Sequence, residues 1–571
     1  MPHRFTQRIL DHLAHPNYRP TDVNELITTL RIEDDDQHDF REAVDQLHRQ
    51  ERIEFVGKRK LKLPDYGDEV SGTLRLHHRG FGFLQPDTPH EQGDLYIPAG
   101  QTMDAISGDR VRVRVSRSQG RRGRDRGDRI TGSVVEVLER GQAHFAGTLT
   151  RTRGNWFIQP DGRLLTEPVI VRDPGAKNAG EGDKVVFELI HYPSEDYYAE
   201  AVITRVLGEA GKPDVETEAV IAAHGLRTAF PDEALHEARD ATRTFQKDAD
   251  GPWEHREDLT DQFIFTIDPP DARDFDDAIS ITHDDRNDQW ELGVHIADVA
   301  HFIPQGCALD AEGEARGNSV YLPRHVIPML PEQLSNGVCS LQEGVNRFTK
   351  SAFIRFNGQG EVLNTRFSRS VIKSAKRLTY LEAQALIDGN DARAAEHART
   401  ETPVTDQLRT ALRNANRLAT ILRKRRLRDG MIVLDLPEVE LVFDDHGHVI
   451  DANPEDDSFT HTIIEMFMVE ANEAVARLFD WLGLPAIRRV HPEPVHGDTE
   501  DLQMYARAAK RSIPENPTRF DLQELLDATR GTPAARAIHF AVLKTLSKAS
   551  YSPALIGHFA LASDHYTHFT S

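Results

Sequence analysis

Thr266-Ile-Asp-Pro-Pro-Asp-Ala-Arg-Asp-Phe-Asp-Asp-Ala278 places Asp268, Asp274, Asp276 and Asp277 within ten residues. Like charges this close cannot all stay ionised unless a cation neutralises them or a pKa rises steeply. The donors are all oxygen, with no His or Cys among them. That set suits hard Mg²⁺ or Mn²⁺ better than Zn²⁺ and points to phosphate chemistry. Phe263-Ile-Phe-Thr-Ile267 reads as a short apolar strand and Ala278-Ile-Ser-Ile281 as its successor. The carboxylates therefore fall at strand ends and in a turn stiffened by Pro269 and Pro270. A solvated acidic turn is the competing reading in a chain with 92 Asp plus Glu. A calcium loop is a second rival, but its D-x-[DN]-x-[DN]-G spacing is not met, because Phe275 is followed by two aspartates and no glycine.

Downstream come Val294-His-Ile-Ala-Asp-Val-Ala-His301, Val320-Tyr-Leu-Pro323, and Ile327-Pro-Met-Leu-Pro-Glu-Gln-Leu-Ser-Asn-Gly-Val-Cys-Ser-Leu341. His558-Phe-Ala-Leu-Ala562 and Tyr566-Thr-His-Phe-Thr-Ser571 close the chain. With the aspartate cluster, these segments resemble, in order, the RNase II and ribonuclease R family of exoribonucleases. The resemblance covers essentially the whole chain. It implies that Asp268, Asp274, Asp276 and Asp277 hold metal, Mg²⁺ first and Mn²⁺ as the alternative, with Asp276 and Asp274 at the centre of catalysis. It implies that Tyr321 stacks on the terminal base and that Glu465 faces the 3′-terminal nucleotide. The implied reaction is hydrolysis of RNA from the 3′ end to nucleoside 5′-monophosphates.

The resemblance also exposes two departures. Near Asp429-Gly-Met-Ile-Val-Leu-Asp-Leu-Pro437 the family's second stacking aromatic is matched by Leu434. Family members continue past the final Thr-Ser with a proline, an arginine pair, more catalytic domain and a last OB-fold. Here Ser571 is the final residue, after an apolar and aromatic stretch over residues 554–569. The expectation is a fragment with an incomplete catalytic domain, which binds RNA weakly and turns over poorly.

A length of 571 residues calls for several domains. Cys307 and Cys339 are the only cysteines, and Met1-Pro-His-Arg-Phe-Thr-Gln7 offers no secretory apolar core, so a reducing cytoplasm is expected. No run of about eighteen apolar residues exists, so no membrane span is expected. A monomer is expected. Mean hydropathy is -0.52.

The net charge of -23 argues naively against a nucleic-acid partner. Local charge differs, because Arg112, Arg114, Arg117, Arg121, Arg122, Arg124, Arg126 and Arg129 crowd one segment. Such a run reads as a phosphate-tracking surface or as a solvated loop.

The fold class expected is multidomain α+β: an N-terminal winged helix, two cold-shock-type OB-fold β-barrels, and an incomplete α+β catalytic domain. The boundaries are drawn at 1–65, 68–138, 140–207, a helical linker at 208–252, and 253–571. Helical periodicity over residues 4–14, 22–30 and 36–49, then a β-rich piece over 52–63, gives the winged helix. Its acids Asp34, Asp35 and Asp36 disfavour phosphate approach. Ser71-Gly-Thr-Leu-Arg-Leu-His-His-Arg-Gly-Phe-Gly-Phe-Leu84 interleaves aromatics with Gly and Arg, and Arg79, Phe81, Phe83 and Tyr96 become candidate stacking residues for single-stranded bases. For each of these aromatics an ordinary barrel-core position is the competing reading, strongest for Phe83. Gly147-Thr-Leu149 repeats Gly72-Thr-Leu74 and opens the second unit. Helices are expected over residues 215–224 and 233–245, and an amphipathic helix over 460–478 carries Glu465.

Single-stranded RNA is the expected partner, with the ribosome or the RNA-degradation machinery as further candidates. Two rivals use the same residues: an RNA chaperone with a silent catalytic scaffold, and a duplex-DNA regulator acting through the winged helix. Four clustered acids repel phosphate unless metal is present, which disfavours both.

Overall fold

Gln289–Ala297 runs Trp, Leu, Val and Ile on one face and Gly, His and Ala on the other, and it is buried almost end to end. A strand buried on both faces from Leu292 onward lies inside a covered sheet. The computed structural model, which describes residues 5–571 except 15–17, 31, 33–35, 58, 78, 119–128, 163, 166, 194–196, 437, 495–498, 516 and 554, places it there. The six-stranded sheet has the order Glu257–Asp258, Val362–Thr379, Ile264–Asp268, Asp277–Asp284, Gln289–Ala297, Asn346–Asn357, and its last strand also pairs with Val362–Thr379. One face meets a core of Leu292, Val294, Ile296, Trp290 and Phe467, and the other a core of Ile264, Ala278, Phe348 and Val371.

The first core is roofed by two long helices, Asp406–Arg428 and Phe459–Trp481. Thr405 caps the first by accepting from Leu408 N–H, and Leu408, Leu412, Ala415, Leu418, Ala419 and Leu422 recur at helical spacing on its buried side.

By its contacts the chain divides into two units. One comprises Met1–Thr228, Leu322–His325 and Phe443–Ile450, and the other comprises Ala229–Tyr321, Val326–Val442 and Asp451–Ser571. The six-stranded sheet and both long helices belong to the second.

In the first unit, helices Thr6–Leu13, Val23–Thr29 and Gln37–Arg49 share a core with the antiparallel pair Glu54–Val56 and Lys60–Lys62. Next is a five-stranded antiparallel sheet, in the order Leu95–Ile97, Gly82–Pro86, Glu69–Leu76, Arg110–Ser118, Arg129–Glu139. A closed five-stranded barrel follows, formed by His144–Thr152, Asn155–Pro160, Val169–Val171, Asp183–His191 and Glu200–Glu209. The expected linker helices lie at Pro213–Ala223 and Asp232–Asp248. Asp34 and Asp35, and Arg121, Arg122, Arg124 and Arg126 of the basic run, lie outside the described residues.

A histidine sits deep in the six-stranded sheet. His295 is fully buried, with Nε2 3.0 Å from Ser280 Oγ and Nδ1 2.7 Å from Ser351 Oγ. Burial holds its pKa down at about 3, against the pull of Glu257. The folded state therefore keeps the ring neutral while the unfolded chain protonates it below about 6.5. Stability from this site is present above pH 6.5 and lost as pH falls toward 3. Between pH 7 and pH 5 the wild type should lose about 2 kcal/mol more than His295→Gln in urea titrations. Equal losses would refute it.

Candidate active site

The sheet brings the two ends of the aspartate segment together. Asp268 ends its strand opposite Thr379, and Asp277 begins the next opposite Ile296, while Phe265 pairs with Ile279 between them. The intervening loop is clasped on every side. Phe275 N–H donates to Ser340 Oγ (3.1 Å), Ser340 Oγ donates to the Arg273 carbonyl (2.7 Å), and Leu341 N–H donates to the Phe275 carbonyl (2.9 Å). Ala297 N–H bonds the Asp276 carbonyl at 3.0 Å. Arg377 reaches the carbonyls of Pro270 and Ala272 at 3.1 and 3.2 Å and covers the Phe275 ring at 4.6 Å. Phe275 is buried, so the chain must turn the side chains of its neighbours Asp274 and Asp276 away from it.

Burial raises Asp268 to about 7, with the charges of Asp277 and Asp276 adding to it and Thr266 and Arg377 opposing. Burial and Asp276 raise Asp277 to about 7, and burial and Asp274 raise Asp276 to about 6. Asp268 Oδ2 is buried without a hydrogen-bond partner. Three carboxyls pushed toward neutrality and one orphaned oxygen fit a divalent cation, which relieves the repulsion and supplies the missing partner. Among the described residues no three His, Cys, Asp or Glu side chains close on one point. An open donor set of this kind suits Mg²⁺, which takes one or two carboxylates and fills its remaining positions with water and substrate phosphate.

Tyr321 lies on Val320–Leu322 with its ring 71% exposed, and its hydroxyl senses the charges of Asp274 and Asp276 after a larger effect of burial. Glu465 is exposed on the helix Phe459–Trp481. Burial raises its pKa, opposed by Arg423 and Arg426.

Sequence reasoning missed Tyr380. It opens the helix Tyr380–Ile387 directly after Thr379, the partner of Asp268, and its ring stacks on His461 at 3.7 Å. Burial, then Asp277 and Asp268, push its phenol above the ordinary range. A lone tyrosine at a helix start carries no sequence signal, and only strand register puts it beside the carboxylates.

Leu434 is half-buried and packs against a separate cluster that includes Leu522, Leu526 and Val542. In the first barrel, Phe81, Phe83 and Tyr96 form one ring cluster with centroids 5.7–6.0 Å apart. Phe83 is 42% exposed, which sets aside the competing core reading. The strand Gly82–Pro86 alternates, and Leu84 takes the inward position. Arg79 is exposed in the adjoining turn. The described arginines of the basic run are partly neutralised: Arg112 pairs with Glu136 at 2.8 Å, Arg114 with Glu69 at 3.7 Å, and Arg117 donates to the Tyr66 carbonyl.

Residues 256–571 match the RNB domain, residues 157–231 a cold shock domain and residues 72–131 the ribonuclease B OB domain. Ribonuclease R of Thermotoga maritima is 35% identical over 97% of this chain and 76% of its own length. The chain belongs to the ribonuclease R family. Ribonuclease R of Escherichia coli is 29% identical over 99% of the chain and 67% of the relative. Mycoplasma genitalium RNase R in complex with ribose-methylated single-stranded RNA superposes with a TM-score of 0.78 at 26% identity, over 88% of this chain and 76% of that one. The same protein with double-stranded RNA gives 0.68 at 27% identity, over 77% and 76%. Yeast Ssd1, a pseudonuclease, shares the fold of the ribonuclease R family at 18% identity, with a TM-score of 0.63 over 92% of this chain and 68% of that one.

Proposed function

We propose that this protein is a metal-dependent 3′–5′ exoribonuclease that shortens single-stranded RNA one nucleoside 5′-monophosphate at a time. The observation that carries the reading is the set of Asp268, Asp276 and Asp277 at the same end of two neighbouring strands, each pushed toward neutrality by burial and by its acidic neighbours. Asp268, Asp274, Asp276 and Asp277 would hold Mg²⁺, or Mn²⁺ in its place. Bound there, the metal would activate the attacking water and stabilise charge on the scissile phosphate.

The chain's own residues do the rest. Ser340 and Arg377 keep the carboxylates in place, Tyr321 stacks on the terminal base, and Glu465 faces the terminal nucleotide. Phe81, Phe83, Tyr96 and Arg79 offer a stacking surface for upstream bases. Stacking grips every base alike, so degradation is independent of sequence. The N-terminal helices and hairpin are assigned as a winged helix, with domains divided at 65, 138, 207 and 252. The setting is a reducing cytoplasm, in keeping with two free cysteines, and the working form is a monomer. Among the described residues no helix is long and apolar enough to cross a membrane.

The test is 5′-labelled single-stranded RNA incubated with the complete protein and Mg²⁺. A ladder shortening from the 3′ end, with release of 5′-monophosphates that stops on chelation, is expected. A mobility shift without shortening would replace this reading with the RNA-binding module. Tyr321→Ala should raise KM about tenfold, the loss of one stacked base at about 1–3 kcal/mol. An unchanged KM would remove Tyr321 from the base contact.

A further inference from the structure

The helix Phe459–Trp481 carries a second polar residue on the face of Glu465. Asn472 follows by seven residues, two helical turns and about 10 Å along the same side. It is buried, and its amide is spent on a single segment. Nδ2 donates to the Tyr566 hydroxyl (3.2 Å) and to Thr570 Oγ1 (3.0 Å), while Oδ1 accepts from Thr570 N–H (3.0 Å). Both donor hydrogens and the carbonyl are therefore engaged, which fixes the amide's orientation.

Tyr566 is held from other sides too. Its carbonyl accepts from Arg489 N–H at 3.2 Å, and its ring meets His558 edge-on at 5.1 Å. Because Asn472 donates into the phenol oxygen, the phenol's own hydrogen points elsewhere, and among the described residues no protein acceptor takes it. Burial, with the charges of Glu473 and Glu465, keeps the phenol protonated against the opposing Asn472 bond and Arg426. A neutral donor held by Asn472, two turns along the helix from Glu465 and with its hydrogen uncommitted, is shaped to meet an acceptor oxygen on a ligand.

We propose that Asn472 and Tyr566 form a substrate-positioning pair: Asn472 sets the Tyr566 phenol on the Glu465 face, and the phenol hydroxyl donates to an oxygen of the terminal nucleotide. Asn472 acts through Tyr566 and is a positioning residue. The inference rests on the exoribonuclease reading above.

Steady-state degradation of a short single-stranded oligoribonucleotide by the complete protein tests it, using wild type, Tyr566→Phe, Asn472→Ala and the double variant. Tyr566→Phe keeps the ring's packing on His558, so folding is not at stake. Each single substitution should raise KM about tenfold, the loss of one hydrogen bond, with kcat within about twofold. The double variant should match the singles, because the amide has nothing left to position once the hydroxyl is gone. A wild-type KM in Tyr566→Phe overturns the proposal and leaves the exoribonuclease reading standing. So does a further loss when Asn472→Ala is added to Tyr566→Phe, since Asn472 would then act through Thr570. A wild-type protein that releases no mononucleotide overturns both.

Discussion

Asp276→Asn is expected to cut mononucleotide release on the order of 10³-fold while leaving affinity for single-stranded RNA within about threefold. The substitution keeps size and shape and removes one charge. The loop should stay in place, because the Asp276 carbonyl, not its side chain, accepts from Ala297 N–H, and Phe275 and Ser340 anchor the neighbouring residue. Stability should hold or rise, since burial and Asp274 already push this carboxyl up to about 6, and a neutral amide is relieved of both effects. Binding is carried by stacking surfaces elsewhere, at Tyr321 and the first barrel. Single-turnover decay of labelled RNA with a parallel gel shift separates the two effects. Full Mg²⁺-dependent turnover in Asp276→Asn would remove it from the centre of the chemistry.

Arg426→Met should destabilise the catalytic unit by about 3–5 kcal/mol, a large share of the roughly 5–15 kcal/mol that holds a typical domain. Arg426 is buried between the two long helices. Nε and Nη2 donate to Glu470 Oε1 at 2.9 and 2.6 Å, and Nη1 donates to Glu473 Oε1 at 3.0 Å. Arg425 also donates to Glu470. Without Arg426, the two buried carboxylates share too little positive charge, and Glu473 loses its main partner. The same helix carries Glu465 and Asn472, so loss of activity should accompany loss of stability. Urea denaturation followed by circular dichroism measures the first. Adding Glu470→Leu and Glu473→Leu to Arg426→Met should restore much of the stability, because an apolar replacement removes the desolvation penalty with the charges. A fall below about 1 kcal/mol for Arg426→Met alone would show that the triad is worth no more than a surface pair.

The aspartate segment could be read from sequence because its features are local. Five acids within ten residues, two prolines and flanking apolar strands announce crowded carboxylates at strand ends, and the sheet places Asp268 and Asp277 in that position. The ring cluster of the first barrel was legible for the same reason, except for Phe83, whose side depends on strand phase in a segment too short to show it. The partners of the basic run were not legible. Arg112 and Arg114 meet Glu136 and Glu69 across strands, pairings that no inspection of one segment reveals. Leu434 could be aligned with a stacking ring from sequence, but its packing against the cluster that holds Leu522, Leu526 and Val542 is set by the tertiary structure.

What the linear chain determined by itself was the chemistry of its donors: oxygen-only ligands that repel one another and demand a cation, and aromatic residues spaced by glycine. What only the tertiary structure decided was who stands beside them. Ser340, Arg377, Tyr380, Asn472 and Tyr566 lie tens to hundreds of residues from the groups they support. Their roles arise from strand register and helix phase, which bring distant residues within hydrogen-bond reach and are not encoded by any neighbour in sequence.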